Sequence, residues 1–424
     1  MATVLLDKVS KTYEDGRHAV HDLDLEIADG EFLVLVGPAG SGKSTALRMV
    51  AGLEDISAGT LSIGGRVVNT LSPRDRDIAM VFQSYALYPH MTVADNISYG
   101  LRIRGTEQGE VDRRVRRAAD ILELGPLLDH HPRQLSAGQR QRIALGRAIV
   151  REPQVFLMDD PLASLNAGVR EQLRADITHV QQVLRITTIY VTHDREEALT
   201  MGDRVAVLKD GRLQEIGQPR DIADNPGTVF AAGFLGSPPM NLALGRLSAD
   251  LGTVAVGSAL LPLSAIRPAG LAEYAGQEIV IGIRPEHLNP ARPSPTHSNP
   301  AQPNLAQPNP AQGIDRPHPS LSGARDAAPP SAAEPESARP SLRVTVSRVD
   351  AALIHFTVAA EGVVAEDPPH PRYEPEPSPS PAGVRFAARR PPGWPVAIGD
   401  EIDLAVEVTR LHFFDPTTGA AIRS

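Results

Sequence analysis

The sequence contains no cysteine, so neither a disulfide framework nor thiol chemistry is available to it. This absence fits a cytosolic protein. No apolar run approaches the roughly 18 residues that a membrane-spanning helix needs, so we expect any role at a membrane to depend on a partner protein. The opening residues, MATVLLDKVSK, lack a basic region followed by an apolar core, and we therefore expect no signal peptide.

Positive charge is also scarce. The 42 Lys and Arg residues are outnumbered by 51 Asp and Glu residues, which gives a net charge of −9. That balance argues against a protein that binds nucleic acid by neutralising its phosphates. The arginine run at 113–117 is flanked by Asp112 and Asp120, so we interpret it as a solvated helix face. The length of 424 residues leaves room for two or more domains.

Only four of the basic residues are lysines, and one of them lies in the stretch Gly37–Thr45. This stretch reads GPAGSGKST and fits the phosphate-binding loop pattern. The apolar run Phe32–Val36 precedes it as a predicted buried strand, and a helical pattern follows it. Glycines let the backbone N–H groups of such a loop close around phosphate oxygens. We expect Lys43 to reach the β- and γ-phosphates of a nucleotide and Ser44 to ligate Mg²⁺.

Polar residues follow three more predicted strands. Gln83, the pair Asp159 and Asp160, and His193 each come directly after an apolar run. The carboxyl ends of the strands form the ligand-binding edge of a doubly wound sheet, so we expect these side chains to lie near Gly37. One carboxylate would complete the Mg²⁺ shell and the other would orient a water molecule.

Two predicted helices begin beside this set. Ser136 is a good N-cap for the helix in Leu135–Val150, and its free N–H groups make a second anion site in principle. Asp194 with Glu197 resembles a capping box at the start of the helix that follows His193.

The chain changes character after the first domain, whose end we place near Gly236. Short β-like runs begin at Leu242. The segment 290–340 holds 13 prolines with few large apolar residues, and we expect it to be disordered. A second proline-rich insertion is predicted at about 367–381. We interpret residues 237–424 as two β segments of one small barrel domain, interrupted by these insertions.

The order of the motifs resembles that of the ATP-hydrolysing subunits of ABC transporters over residues 1–236. VFQSYALYPHMTV, LSAGQRQR, FLMDDP and VTHD follow the phosphate loop in the family's order and spacing. Within the family, the chain is similar to the subunits of maltose-type carbohydrate importers. That likeness rests on ALYPHMTVADNI, FLGSPPMNL, GIRPEHL and RLHFFDPTTG. Importers of iron, polyamines or sulfate share the first domain, so a non-sugar substrate stays open.

The resemblance implies an α/β P-loop NTPase fold of the ABC type. Such a fold has a core sheet, an antiparallel β subdomain and a helical subdomain, here at about 84–150. An all-β OB-like regulatory domain would follow at the C-terminus. Two copies of the chain would form a homodimer that sandwiches two ATP molecules with Mg²⁺.

The resemblance also assigns roles to single residues. Tyr13 would stack on adenine, and Gln83 would sense the γ-phosphate. Asp159 would hold Mg²⁺ with Ser44 and Gln83. His193 would contact the γ-phosphate and the attacking water, which Asp160 would orient. The loop residues that would hold the phosphates are Gly37, Pro38, Ala39, Gly40, Ser41, Gly42, Lys43, Ser44 and Thr45. The residues that would cap the γ-phosphate of the opposite protomer are Ser136, Ala137, Gly138 and Gln139.

The expected partners follow from the same resemblance. Two transmembrane permease subunits would dock near Tyr85–Val93 on the cytoplasmic face of the cell membrane, where the chain would be peripheral. An extracytoplasmic sugar-binding protein would be an indirect partner. We expect no nucleic-acid partner.

Three residues depart from the family pattern, all in the predicted catalytic interface. The family usually has glutamate at Asp160, glycine at Ala137 and aspartate at Asn166. The shorter Asp160 carboxylate would fall roughly 1–1.5 Å short of the water, which can cost on the order of 100-fold in rate. We therefore predict slow hydrolysis with ATP binding largely retained. The alternative is a degenerate, ATP-gated dimerising regulatory protein with little turnover.

Overall fold

The computed structural model describes residues 2–84, 87–236, 238–263, 269–290, 340–358 and 383–423. The predicted insertion at 367–381 lies outside these ranges, as do residues 291–339 of the other predicted insertion. Tyr85 and Ala86 of the predicted docking segment are also outside them. Within the described residues, no helix is both long and apolar enough to cross a membrane.

The strands in chain order are β1 (Val4–Thr12), β2 (His18–Ile27), β3 (Phe32–Val36), β4 (Ala58–Ile63), β5 (Arg66–Val67), β6 (Ile78–Val81), β7 (Val155–Asp159), β8 (Thr187–Thr192), β9 (Arg204–Lys209), β10 (Arg212–Gly217), β11 (Asn241–Leu247), β12 (Thr253–Val256), β13 (Ala259–Pro262), β14 (Glu278–Ile283), β15 (Leu288–Pro290), β16 (Ser341–Val349), β17 (Leu353–Val358), β18 (Val384–Arg389), β19 (Glu401–Val406) and β20 (His412–Phe414). The α-helices are α1 (Lys43–Ala51), α2 (Val93–Ile103), α3 (Gln108–Ile121), α4 (Ala137–Ile149), α5 (Ala167–Leu184), α6 (Arg195–Met201), α7 (Pro219–Asp224) and α8 (Val229–Phe234). Short 3-10 helices join several of these elements.

A six-stranded sheet with the order β10-β9-β3-β8-β7-β6 forms the centre of the first 236 residues. The neighbours from β9 to β6 pair in parallel, and β10 is antiparallel at the edge. All five residues of β3 are buried, as expected for a parallel strand that is covered on both faces. Its side chains alternate between two hydrophobic cores, one containing Phe32 and Val34 and the other containing Leu33 and Leu35.

The two cores differ in what covers the sheet. The first holds apolar side chains of α2, α3 and α4, together with those of α5 and α6. The second holds α1 and a four-stranded antiparallel sheet with the order β2-β1-β4-β5. The P-loop architecture, with its mixed sheets and packed helices, is therefore the one that the sequence predicts.

The β-rich remainder consists of two five-stranded sheets with the orders β13-β12-β11-β14-β20 and β15-β19-β16-β17-β18. Strands from both sides of the 291–339 gap share one hydrophobic core, for example Ile281 with Phe356 and Phe413. The buried amide of Asn241 joins the two sheets because it pairs with the backbone C=O and N–H of Ala387 at 2.8 and 2.7 Å.

Candidate functional site

The loop between β3 and α1 has the tight backbone that its glycines allow. Gly42 precedes α1 with φ +92°, in the left-handed region that favours glycine. A Cβ atom on Gly42 would collide with the carbonyl oxygen of Ala19, and one on Gly37 would collide with that of Leu208. The loop is therefore held against neighbouring backbone at both ends, which leaves its N–H groups and the start of α1 available to an anion.

Lys43 is buried inside this loop. Its Nζ donates to the carbonyl oxygens of Gly37 and Pro38, both at 2.7 Å, and to Ser41 Oγ at 3.1 Å. These three bonds use all the donors of the ammonium group. Burial lowers the pKa of Lys43 to about 8, although the charges of Asp160 and Asp159 act to raise it. A bound phosphate would thus compete with the loop's own carbonyl groups for this cation.

Ser44 and Asp159 lie in direct contact. The Ser44 hydroxyl donates to Asp159 Oδ1 at 2.8 Å, and Arg48 Nη2 lies 3.7 Å from Asp159 Oδ2. A hydroxyl and a carboxylate oxygen are the hard donors that Mg²⁺ takes beside substrate phosphates and waters. No group of three or more His, Cys, Asp or Glu residues suited to a metal occurs in the described ranges. The pair thus fits a Mg²⁺ ion that obtains its other ligands from a nucleotide and from water.

Asp160 and His193 bind each other. His193 Nδ1 lies 2.7 Å from Asp160 Oδ2, and Asp160 N donates to the carbonyl oxygen of Val191 at 2.9 Å. Asp160 has a φ of +47°, which is strained for a residue with a side chain. The hydrogen bond to Asp160 raises the pKa of His193, against an opposing effect of burial. One oxygen of this carboxylate is therefore engaged by the imidazole.

A buried hydrogen-bond network below His193 holds its turn in place. Glu197, 1 % exposed, accepts from Tyr190 Oη at 2.8 Å and from Thr192 Oγ1 at 2.7 Å. Asp194 caps α6 by accepting from the N–H groups of Glu196 and Glu197. The predicted capping box is half wrong, since the Glu197 carboxylate points to these two hydroxyls and not back to Asp194 N. Burial raises the pKa of Glu197.

Arg170 on α5 joins this network to the loop before its own helix. Its Nη1 lies 3.2 Å from Asp194 Oδ2, its Nη2 donates to Leu165 O at 3.1 Å, and its Nε lies 4.0 Å from Glu197 Oε1. The loop ends at Asn166, whose side chain caps α5 by accepting from Val169 N at 3.1 Å. Arg170 does not stand out in the sequence, because only the fold brings its guanidinium to Asp194, 24 positions away.

The segment Ser136–Gln139 forms the N-terminus of α4. Ser136 Oγ accepts from Gln139 N at 3.2 Å, and Gln139 Oε1 accepts from Ser136 N at 2.9 Å. A Cβ atom on Gly138 would lie 2.9 Å from Val169 Cγ1. Ala137 packs, partly buried, against the core of its own chain. The predicted N-cap is present, and its side chain takes the N–H of Gln139.

The structure thus brings together part of the predicted set. The phosphate loop, Asp159, Asp160 and His193 form one connected group, whereas Ser136–Gln139 makes no described contact with it. Tyr13 lies apart, with Lys11 Nζ 5.0 Å and Arg17 Cζ 4.8 Å from its ring centroid. Gln83 is exposed.

Comparisons with known proteins cover the same parts of the chain. The family model described as ABC transporter matches residues 20–163, and the model described as MalK OB fold domain matches residues 236–288. The sn-glycerol-3-phosphate import ATP-binding protein UgpC of Burkholderia lata is 56% identical over 292 residues, which are 68% of this chain and 81% of the relative. The protein of the same name from Burkholderia ambifaria is 55% identical over the same length and shares. The solved structure of cbiO1 from Clostridium perfringens is 27% identical, with a TM-score of 0.49, and the match covers 52% of this chain and 89% of that one.

The contact between His193 and Asp160 predicts a pH effect. The pKa of the His193 imidazole should lie above its ordinary value of 6.5, and Asp160→Asn should lower it because the acceptor charge is lost. The pair's stabilising contribution should be complete below the unfolded pKa of His193 and should disappear as the pH rises through the folded value. An NMR titration of the imidazole resonances measures the shift. The control Asp176→Asn should leave it unchanged, and an unaltered His193 pKa in Asp160→Asn would contradict the assignment.

Proposed function

Because the chain belongs to the family of ABC transporter ATP-binding proteins, we propose that two copies of it bind and hydrolyse ATP to drive import of a carbohydrate through a membrane permease. The chain is an ATPase of that family with a P-loop domain and an OB-fold domain. The two Burkholderia relatives reported above are named for import of sn-glycerol-3-phosphate, so we take this phosphorylated polyol as the first candidate substrate.

The observation that carries the proposal is the connected group of Lys43, Ser44, Asp159, Asp160 and His193. Backbone N–H groups and Lys43 would hold the phosphates, while Ser44 and Asp159 would hold Mg²⁺, which neutralises phosphate charge when bound. His193 would offer its free Nε2 to the γ-phosphate, since its Nδ1 is engaged by Asp160. Tyr13 would stack on the adenine. Catalysis of this kind rests on positioning and electrostatics.

Asp160 is the group that we expect to limit the rate. Its carboxylate would orient the attacking water, yet it is bound to His193 and is one methylene shorter than glutamate. Ser136–Gln139 of the partner protomer would close over the γ-phosphate, and the permease would dock near Tyr85–Val93 at the cytoplasmic face of the membrane. An extracytoplasmic binding protein would deliver the substrate to that permease.

A second candidate function is an ATP-gated clamp that dimerises and hardly hydrolyses. It is favoured by the same Asp160–His193 contact, together with the departures at Ala137 and Asn166. The two candidates differ in turnover and in coupling to transport, so the experiments below separate them.

The first experiment is single-turnover ATP hydrolysis by the full chain at saturating Mg²⁺-ATP. We expect Asp160→Glu to hydrolyse about 100-fold faster than the wild type, since the added methylene moves the carboxylate toward the water. The control Asp176→Glu makes the same change on α5, away from the site, and should match the wild type. Equal rates for the wild type and Asp160→Glu would show that the shorter carboxylate is compensated and would contradict this prediction.

Arg170 is expected to act as a positioning residue for His193 and the loop at Asn166. Arg170→Met should lower kcat about tenfold, corresponding to about 1.4 kcal/mol, and should change the KM for ATP less than about twofold. The control Arg174→Met alters an arginine one helical turn along α5, which pairs with the exposed carboxylates of Glu171 and Glu196. A loss confined to KM, or an equal loss of kcat in both variants, would refute the positioning role.

Transport itself can be measured in vesicles that contain the permease pair and binding protein of the Burkholderia lata relative. We expect the chain to support ATP-dependent uptake of labelled sn-glycerol-3-phosphate in preference to maltose. Lys43→Ala should abolish that uptake, because the loop loses its cation. ATP hydrolysis without uptake of either compound would reject the import proposal, whereas ATP-dependent dimerisation with neither hydrolysis nor uptake would favour the clamp.

A further inference from the structure

Arg284 lies in the OB-fold part of the chain and is a buried cation without a hydrogen-bonding partner among the described residues. The residue is 8% exposed and directly precedes the 3-10 helix Pro285–His287. A guanidinium group stays charged at every physiological pH and presents five donors. Burying such a charge without a counter-ion is strongly unfavourable. The position therefore calls for an acceptor that the described side chains do not supply.

Two histidines lie beside this guanidinium. His412 of β20 pairs with Gly282 of β14. Arg284 is two residues beyond Gly282, so it lies on the same face of the sheet as Gly282 and His412. His287 ends the 3-10 helix that Arg284 begins, and its Nδ1 is buried without a partner in the described part of the chain. Arg284, His287 and His412 thus converge at the end of β14.

The electrostatics agree with this placement. Burial, together with the neighbouring Arg284 and His287, lowers the pKa of His412 to about 4. Burial likewise lowers the pKa of His287. Both imidazoles are therefore neutral near pH 7, and each can donate one N–H.

The nearest carboxylates do not neutralise Arg284 by contact. Glu286 and the exposed Asp224 at the end of α7 act on its charge, and Glu407 acts on His287. None of the described carboxylates forms an ion pair with Arg284 within 4.0 Å. The backbone comes close on the other side, since a Cβ atom on Gly236 would lie 3.6 Å from Arg284 Nη1. The guanidinium is thus bordered by donors and backbone, with carboxylates only further out.

We propose that Arg284, His287 and His412 form a binding site for a small oxyanion of the phosphate class. The site offers donors from a guanidinium and two imidazoles, and an oxyanion supplies the acceptors that all three lack. It lies between the end of α7 and α8 on one side and β14 and β20 on the other, where the OB-fold part meets the preceding segment. The outer carboxylates, Glu286 and Asp224, compete with the anion for Arg284. The proposal does not depend on the transported substrate.

The test is calorimetric titration of the full chain with inorganic phosphate. A non-hydrolysable ATP analogue is kept saturating with Mg²⁺ so that the phosphate loop, itself an anion site, is occupied up to its γ-phosphate position. We expect saturable binding of one phosphate per chain. Arg284→Gln should weaken it about tenfold or more, since a charged hydrogen-bonding group is lost. Arg246→Gln, the same change at an exposed arginine on β11, should bind as the wild type does.

Further variants keep the test decisive. Asp224→Asn should tighten binding by removing the competing charge, and His412→Asn should weaken it even if Arg284→Gln fails to fold. Phosphate should also raise the pKa of His412 in an NMR titration, because an adjacent anion favours the imidazolium.

Three results would overturn the site. The first is that the wild type shows no saturable phosphate binding. The second is that Arg284→Gln and Arg246→Gln bind phosphate equally well. The third is that Lys43→Ala loses phosphate binding while the Arg284 variant keeps it. A lower melting temperature of Asp224→Asn without tighter phosphate binding would identify Asp224 as the partner of Arg284 and would equally refute the proposal.

Discussion

The site depends on the position of β8, which pairs with β3 along one side and with β7 along the other. Val36 is in register with Thr192, and Asp159 with Val191. The loops that leave these three strands therefore start side by side at one edge of the sheet. Gly37, Asp160 and His193 follow directly, which is why they belong to one connected group.

The groups at this edge are held by one another. Lys43 binds the carbonyl oxygens of its own loop, Ser44 binds Asp159, and His193 binds Asp160. Glu197 and Arg170 hold the His193 turn in place through Tyr190, Thr192 and Asp194.

Lys43 of the P-loop domain and Arg284 of the OB-fold part are both buried cations, but their charges are compensated in different ways. Lys43 is desolvated, but three acceptors of its own loop compensate it, and its pKa falls to about 8. An ammonium group can respond to its surroundings by losing a proton, whereas the guanidinium of Arg284 cannot. Arg284 can be compensated only by an acceptor. For this reason we infer a ligand at Arg284, whereas the acceptors of its own loop already compensate the charge of Lys43.

The sequence by itself determined the features that depend on a few consecutive residues. The glycines of Gly37–Thr45, the cap at Ser136 and the buried run of β3 follow from local backbone conformation and burial, and the motif order indicated the family. Only the tertiary structure decided which distant residues meet. His193 binds Asp160 across 33 positions, Arg170 joins two loops, and Arg284 lies beside His412. Sheet order and strand register set those neighbours, and neither can be derived from periodicity within a segment.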